Sequence, residues 1–131
     1  MPLNSRAKGA YGEREAAQAL MDLGFAARRT VQYNGRSGDA DLATSIEGVH
    51  FEVKYTERLS PYSFRDQATR DARGAIPVVL MRSNRKPWLV CVELSQLLPM
   101  CNAIVRAQAT ILAQDRQAAS AQGRGVDETA Q

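Results

Sequence analysis

Apolar and polar positions alternate along residues 49–55, where valines and a phenylalanine are interleaved with His50, Glu52 and Lys54. A period of two predicts a β-strand with one apolar face and one polar face. Glu47-Gly48 precedes this strand and is typical of a tight turn. A second apolar run at residues 42–46 therefore predicts a hairpin.

The rest of the chain shows both helical and strand periodicity. Residues 76–81 are almost continuously apolar, which indicates a strand covered on both faces. The element order is α-β-β-β-α-β-β-α, and it predicts an α/β sandwich with a central mixed five-stranded sheet flanked by helices. The predicted strands span residues 26–33, 42–46, 49–55, 76–81 and 88–92, and the predicted helices span residues 12–23, 63–73 and 94–98.

Composition divides the chain near Pro99. Residues 1–99 form one predicted domain, and residues 100–131 form a tail rich in Ala and Gln. We expect the tail to be helical around residues 104–112 and disordered over residues 118–131, AASAQGRGVDETAQ. No apolar run approaches the roughly 18 residues of a membrane span, and the first residues lack the apolar core of a signal peptide. These features predict a cytoplasmic protein with reduced cysteines and no membrane partner.

The net charge of +3 arises within the first hundred residues, where 14 basic residues accompany 11 acidic ones. If Glu13, Asp41 and Glu52 face a metal ion, only 8 acidic residues offset the basic surface. Such a surface suits a polyanion and favours salt-dependent binding. Charge alone does not separate a nucleic-acid-binding protein from other basic domains.

Acidic side chains converge at the mouth of the predicted hairpin. Asp41 precedes the first of its strands, and Glu52 lies on the second. Two carboxylates with open water positions suit Mg²⁺ or Mn²⁺, and the Val53 carbonyl could add a further ligand. Lys54 beside the metal would orient a water molecule or neutralise charge on a phosphate, which indicates phosphodiester hydrolysis. The alternative is a solvated polar face with a cross-strand salt bridge.

Three further residues have more than one interpretation. Glu13 lies in the first turn of the predicted helix, where the helix dipole favours a carboxylate, or it is aimed inward for a purpose. His50 shares the face of Glu52 and could touch DNA or a water molecule, but it is interpreted as a peripheral polar residue. Trp88 opens an apolar strand and is interpreted as a core or interface residue in preference to a platform for base stacking.

Several segments together resemble the archaeal-type Holliday junction resolvases and their phage-encoded relatives, which belong to the PD-(D/E)xK nuclease superfamily. The resemblance covers about residues 8–98 in matching order. It rests on KGAYGEREAAQALMDLGF, DADLA, VHFEVKY, a helix that holds Gln67, IPVVLMR and RSNRKPWLV.

The resemblance implies a role for each matching residue. Asp41 and Glu52 would be metal ligands, Glu13 would bind the metal directly or through water, and Lys54 would be the motif lysine. Gln67 would support the site. Ala40 stands where the motif has proline, a residue that shapes the turn and is not a ligand. Asp39 is an alternative ligand, although Asp41 directly precedes the apolar strand as in the family pattern.

The function implied is that of a divalent-metal-dependent endonuclease that resolves four-way DNA junctions by paired nicks. It would use Mg²⁺, or Mn²⁺ in its place, and act as a homodimer without a small-molecule cofactor. The resemblance also suggests a phage source, in which case the protein would act in the host cytoplasm. The alternatives are another nuclease of this superfamily that cuts linear, flapped or damaged DNA, and a non-catalytic DNA-binding module. Basic residues in loops or at strand ends are candidate phosphate contacts. These are Arg28, Arg29, Arg36, Arg58, Arg85 and Lys86.

Overall fold

A five-stranded sheet lies at the centre of the computed structural model, which describes residues 5–30 and 40–129. Its strands follow the order β1-β2-β3-β4-β5. β3 and β4 are parallel, and the other neighbours are antiparallel, so the predicted mixed sheet is confirmed. The elements are α1 (Ser5–Asp22), β1 (Ala27–Arg29), β2 (Leu42–Thr44), β3 (Val49–Tyr55), α2 (Pro61–Ala72), β4 (Ile76–Arg82), β5 (Leu89–Val92), a 3₁₀ turn (Leu94–Gln96) and α3 (Leu97–Thr129).

Helices cover both faces of the sheet and enclose two apolar cores. On one face, α1 and the first turns of α3 pack against Phe51 and Val53 of β3. On the other face, α2 packs against Val79 and Met81 of β4. Because successive side chains of a strand point to opposite faces, His50, Glu52 and Lys54 lie on the α2 side. The predicted alternation along β3 is confirmed.

The turn before β3 and the crossover after it fix the central pair of strands. Gly48 has a φ of +83°, a conformation that residues with a side chain rarely adopt, and it closes the predicted turn into β3. Its carbonyl also accepts a hydrogen bond of 2.8 Å from the Ile76 N–H at the start of β4. Since β3 and β4 are parallel, α2 forms the crossover that returns the chain to the same end of the sheet.

Before the tail, two elements differ by more than two residues from their predicted bounds. α1 begins at Ser5 and not at residue 12, because Ala7, Lys8 and Ala10 favour a helix. The described part of β1 spans only Ala27–Arg29, and the rest of the predicted first strand lies outside the described residues, as does the predicted loop at residues 34–38.

The tail is more helical than predicted. α3 runs to Thr129, past the helix expected around residues 104–112, and the disorder expected over residues 118–131 stays a prediction. The physical reason is the abundance of Ala, Gln and Arg, which have high helix propensity. Ala103 and Ala107 are buried in the core, so the tail begins as a packed element. The division into a domain of residues 1–99 and a tail stays a prediction. No described helix, α3 included, is both long enough and apolar enough to cross a membrane.

Deletion of residues 113–131 is expected to change the free energy of unfolding by less than about 1 kcal/mol, because side chains 113–123 are all exposed. Thermal unfolding followed by circular dichroism measures this change. A matched deletion of residues 101–131 also removes Ala103 and Ala107 and is expected to lower the midpoint by far more. Equal losses from both deletions would contradict this division of α3.

Candidate active site

Asp41 is held at the point where the β2–β3 ladder ends. Its N–H donates to the Phe51 carbonyl at 3.1 Å, and its side-chain Oδ2 accepts the Val53 N–H at 2.8 Å. β2 begins only at Leu42, so the Asp41 carboxylate takes the place of the backbone carbonyl that would otherwise accept from Val53. The carboxylate therefore has a fixed position against β3.

Glu52 is one of two buried polar side chains on the α2 side of β3. It is 3% exposed, and His50 is 6% exposed. His50 Nε2 lies 2.8 Å from Glu52 Oε1, because residues two apart on a strand share a face. The interpretation of His50 as a peripheral residue is wrong. It is buried, and it orients the carboxylate of Glu52.

The carboxyl groups of Asp41 and Glu52 lie close enough to shift each other's pKa in opposite directions. Burial raises the pKa of Asp41 to about 7, with further contributions from the charges of Glu52 and Glu13 and against the effect of the Val53 N–H. Burial also acts to raise the pKa of Glu52, but hydrogen bonds from His50 and Asp41 and the charge of Lys54 hold it below its usual 4.5. At mildly acid pH, Asp41 therefore holds the proton and Glu52 the charge.

This raised pKa predicts a pH-dependent stability. The ordinary pKa of Asp41 is 3.8 and its folded pKa is about 7, so between these values the folded chain binds more protons than the unfolded chain. Its contribution to stability is full below pH 4 and is lost as the pH rises to 7.

Asp41→Asn cannot ionise, and we expect it to raise the unfolding midpoint at pH 8 by about 4–8 °C, with little change at pH 4. Differential scanning calorimetry at both pH values measures the shift. An equal shift at the two pH values would show that ionisation of Asp41 is not its cause.

Lys54 lies two residues after Glu52 on the same face of β3 and forms the other side of the site. Its Nζ donates to Gln67 Oε1 of α2 at 2.7 Å and lies 5.5 Å from the centroid of the Phe64 ring. The amide oxygen and the ring face both favour a cation and hold it without a carboxylate. Gln67 thus supports Lys54, in line with the role that the resemblance implies.

Glu13 lies close enough to raise the pKa of Asp41, but its own partner is Arg29. The Arg29 Nε donates to Glu13 Oε2, which links α1 to β1. Because α1 begins at Ser5, Glu13 is not in the first turn of the helix, so the interpretation as a residue favoured there by the helix dipole is wrong. A functional role for Glu13 stays a prediction. Arg29, a candidate phosphate contact, lies beside Glu13.

Asp41 and Glu52 are the candidate metal ligands of the site. In residues 5–30 and 40–129, no three His, Cys, Asp or Glu side chains form a group that could hold one. The Asp41–Glu52 pair nevertheless fits Mg²⁺ chemically, since two hard oxygen donors with water complete such sites and a cation would relieve their repulsion. In a strand, the N–H and C=O of one residue point to the same side, so the Val53 carbonyl faces Asp41 as well.

The remaining candidate DNA contacts are spread over the surface. Arg28, Arg58, Arg85 and Lys86 are all exposed. Arg85 and Lys86 lie in the β4–β5 connection, where Arg85 has a positive φ of 62°. Arg36 and the alternative ligand Asp39 lie outside the described residues.

These elements and this site define a restriction-endonuclease-like sandwich with a pair of carboxylates at the hairpin mouth. No protein-family model matches the chain, and no curated protein matches it in sequence. Among solved structures, the chain is similar to Archaeoglobus fulgidus Hjc, a Holliday junction resolvase from an archaeal hyperthermophile. The TM-score is 0.51 at 24% identity, over 64% of this chain and 76% of that chain. The predicted fold and its resemblance to the archaeal-type resolvases are thereby confirmed.

Proposed function

We propose that this protein is a divalent-metal-dependent endodeoxyribonuclease that resolves four-way DNA junctions by paired symmetric nicks. The observation that carries the proposal is the pairing of half-buried Asp41 with buried Glu52 beside Lys54, on a fold shared with a resolvase. Two neighbouring carboxylates withdrawn from water destabilise a fold unless a cation is bound, so their presence indicates a function.

Each residue of the site has a distinct task in phosphodiester hydrolysis. Asp41 and Glu52 would hold Mg²⁺, with Mn²⁺ as a substitute, and Glu13 and the Val53 carbonyl would complete the ligands. When bound, the cation supplies charge to stabilise the transition state and to favour ionisation of water. His50 keeps Glu52 oriented, and Gln67 keeps Lys54 directed at the phosphate.

The reaction would add water across one backbone bond. The water oxygen attacks the phosphorus, the bond from phosphorus to O3′ breaks, and the leaving oxygen takes up a proton. The products are a 5′-phosphate and a 3′-hydroxyl. Lys54 offers its positive charge to the phosphate oxygens as negative charge develops on them.

A homodimer would explain how a chain with one such site makes two cuts. A four-way junction has two-fold symmetry, and two copies related by a two-fold axis place one site on each of two strands. Exposed apolar residues of β5, the 3₁₀ turn and α3 are candidate contacts between the copies. They are Leu89, Val90, Leu94, Leu98, Val105 and Leu112.

The test is incubation of the protein with a synthetic four-way junction and a matched linear duplex, in Mg²⁺ and in EDTA. We expect cleavage of the junction only, in Mg²⁺ only. Light scattering at micromolar protein should give a dimer, and a cruciform plasmid should yield linear product from one binding event. Equal cleavage of both DNAs, or nicked circles from a monomer, would favour a general nuclease. No cleavage despite binding would favour a DNA-binding module.

A further inference from the structure

A row of aromatic and cationic side chains lies on the α1 side of the sheet, on β3, on β4 and at Trp88 just before β5. Arg82 of β4 lies opposite Tyr55 of β3 in the parallel register, so both point to the face that carries α1. The guanidinium carbon of Arg82 is 5.9 Å from the centroid of the Trp88 ring. Tyr55 and Trp88 are themselves 6.4 Å apart between centroids.

Helix α1 adds a second cation and a third ring to this row. Lys8 and Tyr11 are three residues apart and therefore share a face of the helix. Lys8 Nζ lies 5.6 Å from the Tyr55 ring centroid, and the Tyr11 ring meets that ring edge to face at 5.7 Å. We call Lys8, Tyr11, Tyr55, Arg82 and Trp88 the cation–aromatic cluster. Its rings are only partly covered, and Tyr11 is 47% exposed.

The cation–aromatic cluster borders the proposed active site. Tyr55 follows Lys54 on β3 but points to the opposite face of the sheet, toward α1. There it lies against Gly12, where a Cβ would be 2.6 Å from Tyr55 Cβ, and Gly12 directly precedes Glu13. DNA bound at the cluster would therefore lie beside Glu13, on the α1 side of the proposed site.

Packing alone does not account for the cations of the cluster. Within the described part of the chain, neither Lys8 nor Arg82 forms an ion pair with a carboxylate. Arg82 Nε instead donates to the Lys86 carbonyl at 2.6 Å. Two cations beside partly exposed rings, without acidic partners, fit a ligand that is both anionic and aromatic.

We infer that the cation–aromatic cluster binds an unpaired nucleotide of the DNA substrate beside the Glu13 side of the proposed active site. Its base stacks on Tyr11, and its flanking phosphates contact Lys8 and Arg82. Paired bases keep their faces inside the helix, so only an unpaired nucleotide uses the exposed ring as well as the cations. The inference rests on the proposed function, and it adds a substrate preference for strands unpaired beside the cut.

The test measures binding without cleavage, in Ca²⁺ without Mg²⁺, by fluorescence anisotropy. The probes are labelled oligo-dT and a blunt duplex of the same length. Tyr11→Ala is expected to weaken oligo-dT binding about tenfold and duplex binding less than about twofold, because it removes one stacked base. Tyr11→Phe keeps the ring and should bind like the wild type. Tyr62→Ala removes another exposed tyrosine, outside the cluster, and should also bind like the wild type.

A second variant tests the phosphate contact. Lys8→Ala should weaken binding of both probes and lower the slope of log affinity against log salt by about 1. Calorimetric midpoints of all variants show whether each is folded. Two results would overturn the inference. In one, Tyr11→Ala binds each probe as tightly as the wild type does. In the other, Tyr11→Ala loses the same factor of affinity for oligo-dT as for the duplex.

Failure of the inference and failure of the proposed function have different signatures. Wild-type protein that binds oligo-dT through Tyr11 in Ca²⁺ but cuts no junction in Mg²⁺ would refute the nuclease and support the nucleotide site. Wild-type protein that cuts junctions, with Tyr11→Ala binding unchanged, would refute only the nucleotide site.

Discussion

Asp41→Asn and Glu52→Gln are each expected to lower junction cleavage by at least about 1,000-fold, because loss of a metal ligand removes several kcal/mol of transition-state stabilisation. The chain should stay folded, since the amide of Asn can still accept the Val53 N–H. Binding to the junction should be unchanged or slightly tighter, because a negative charge beside DNA is removed. Single-turnover cleavage in Mg²⁺ and anisotropy in Ca²⁺ measure the two quantities.

Asp39→Asn is the matched control for this pair. It removes a carboxylate two residues from Asp41, and its effect on cleavage should be much smaller. Cleavage near the wild-type rate by both Asp41→Asn and Glu52→Gln would refute the assignment of these residues as metal ligands. A large loss from Asp39→Asn alone would transfer the role to Asp39.

Gly12→Ala is expected to reduce both stability and cleavage, because α1 passes close to β3 at this residue. A Cβ at residue 12 would lie 2.6 Å from Tyr55 Cβ, well inside van der Waals contact. Tyr55 Cβ is fixed to the strand, so the helix must shift by about 1 Å to restore ordinary contact. The expected cost is about 1–3 kcal/mol of unfolding free energy. Because Glu13 moves with the helix, cleavage should fall by up to about 100-fold.

Gly9→Ala provides the control in the same helix. A Cβ there meets no atom within 4 Å, so the substitution should stabilise α1 by about 0.5–1 kcal/mol and leave cleavage unchanged. Urea unfolding and junction cleavage measure both variants. Similar behaviour of Gly12→Ala and Gly9→Ala would mean that α1 tolerates displacement from β3 and that its position does not matter for the site.

Strand β3 was predictable because its physics is local. Residues 49–55 alternate strictly, and the structure gives β3 the same bounds. The pairing of β2 with β3 follows from the short turn at Gly48, so the approach of Asp41 to Glu52 was accessible to the sequence as well. Both conclusions depend on residues close together along the chain.

The partners of Glu13 and the burial of His50 depend on distant segments and were not predictable in the same way. Arg29 reaches Glu13 only because β1 forms the far edge of the sheet beside α1. Because His50 alternates with apolar residues, the sequence places it on a polar face that is expected to be solvated. In the folded chain α2 lies over that face, and this depends on the crossover between β3 and β4. The available signal was the spacing of His50 and Glu52, which puts a histidine and a carboxylate on the same face.

The central position of β3 links the site to the cooperativity of the whole fold. β3 is hydrogen-bonded to β2 on one side and β4 on the other, and helices cover both of its faces. Amides in such a strand exchange with solvent only when the domain opens globally, whereas helix ends and edge strands open by local fluctuation. Glu52, Lys54 and the Val53 carbonyl thus belong to the last structural unit to open. On heating, the protein is therefore expected to keep its carboxylate pair intact through fraying of α3 and β1 and to lose it in the same transition as its core.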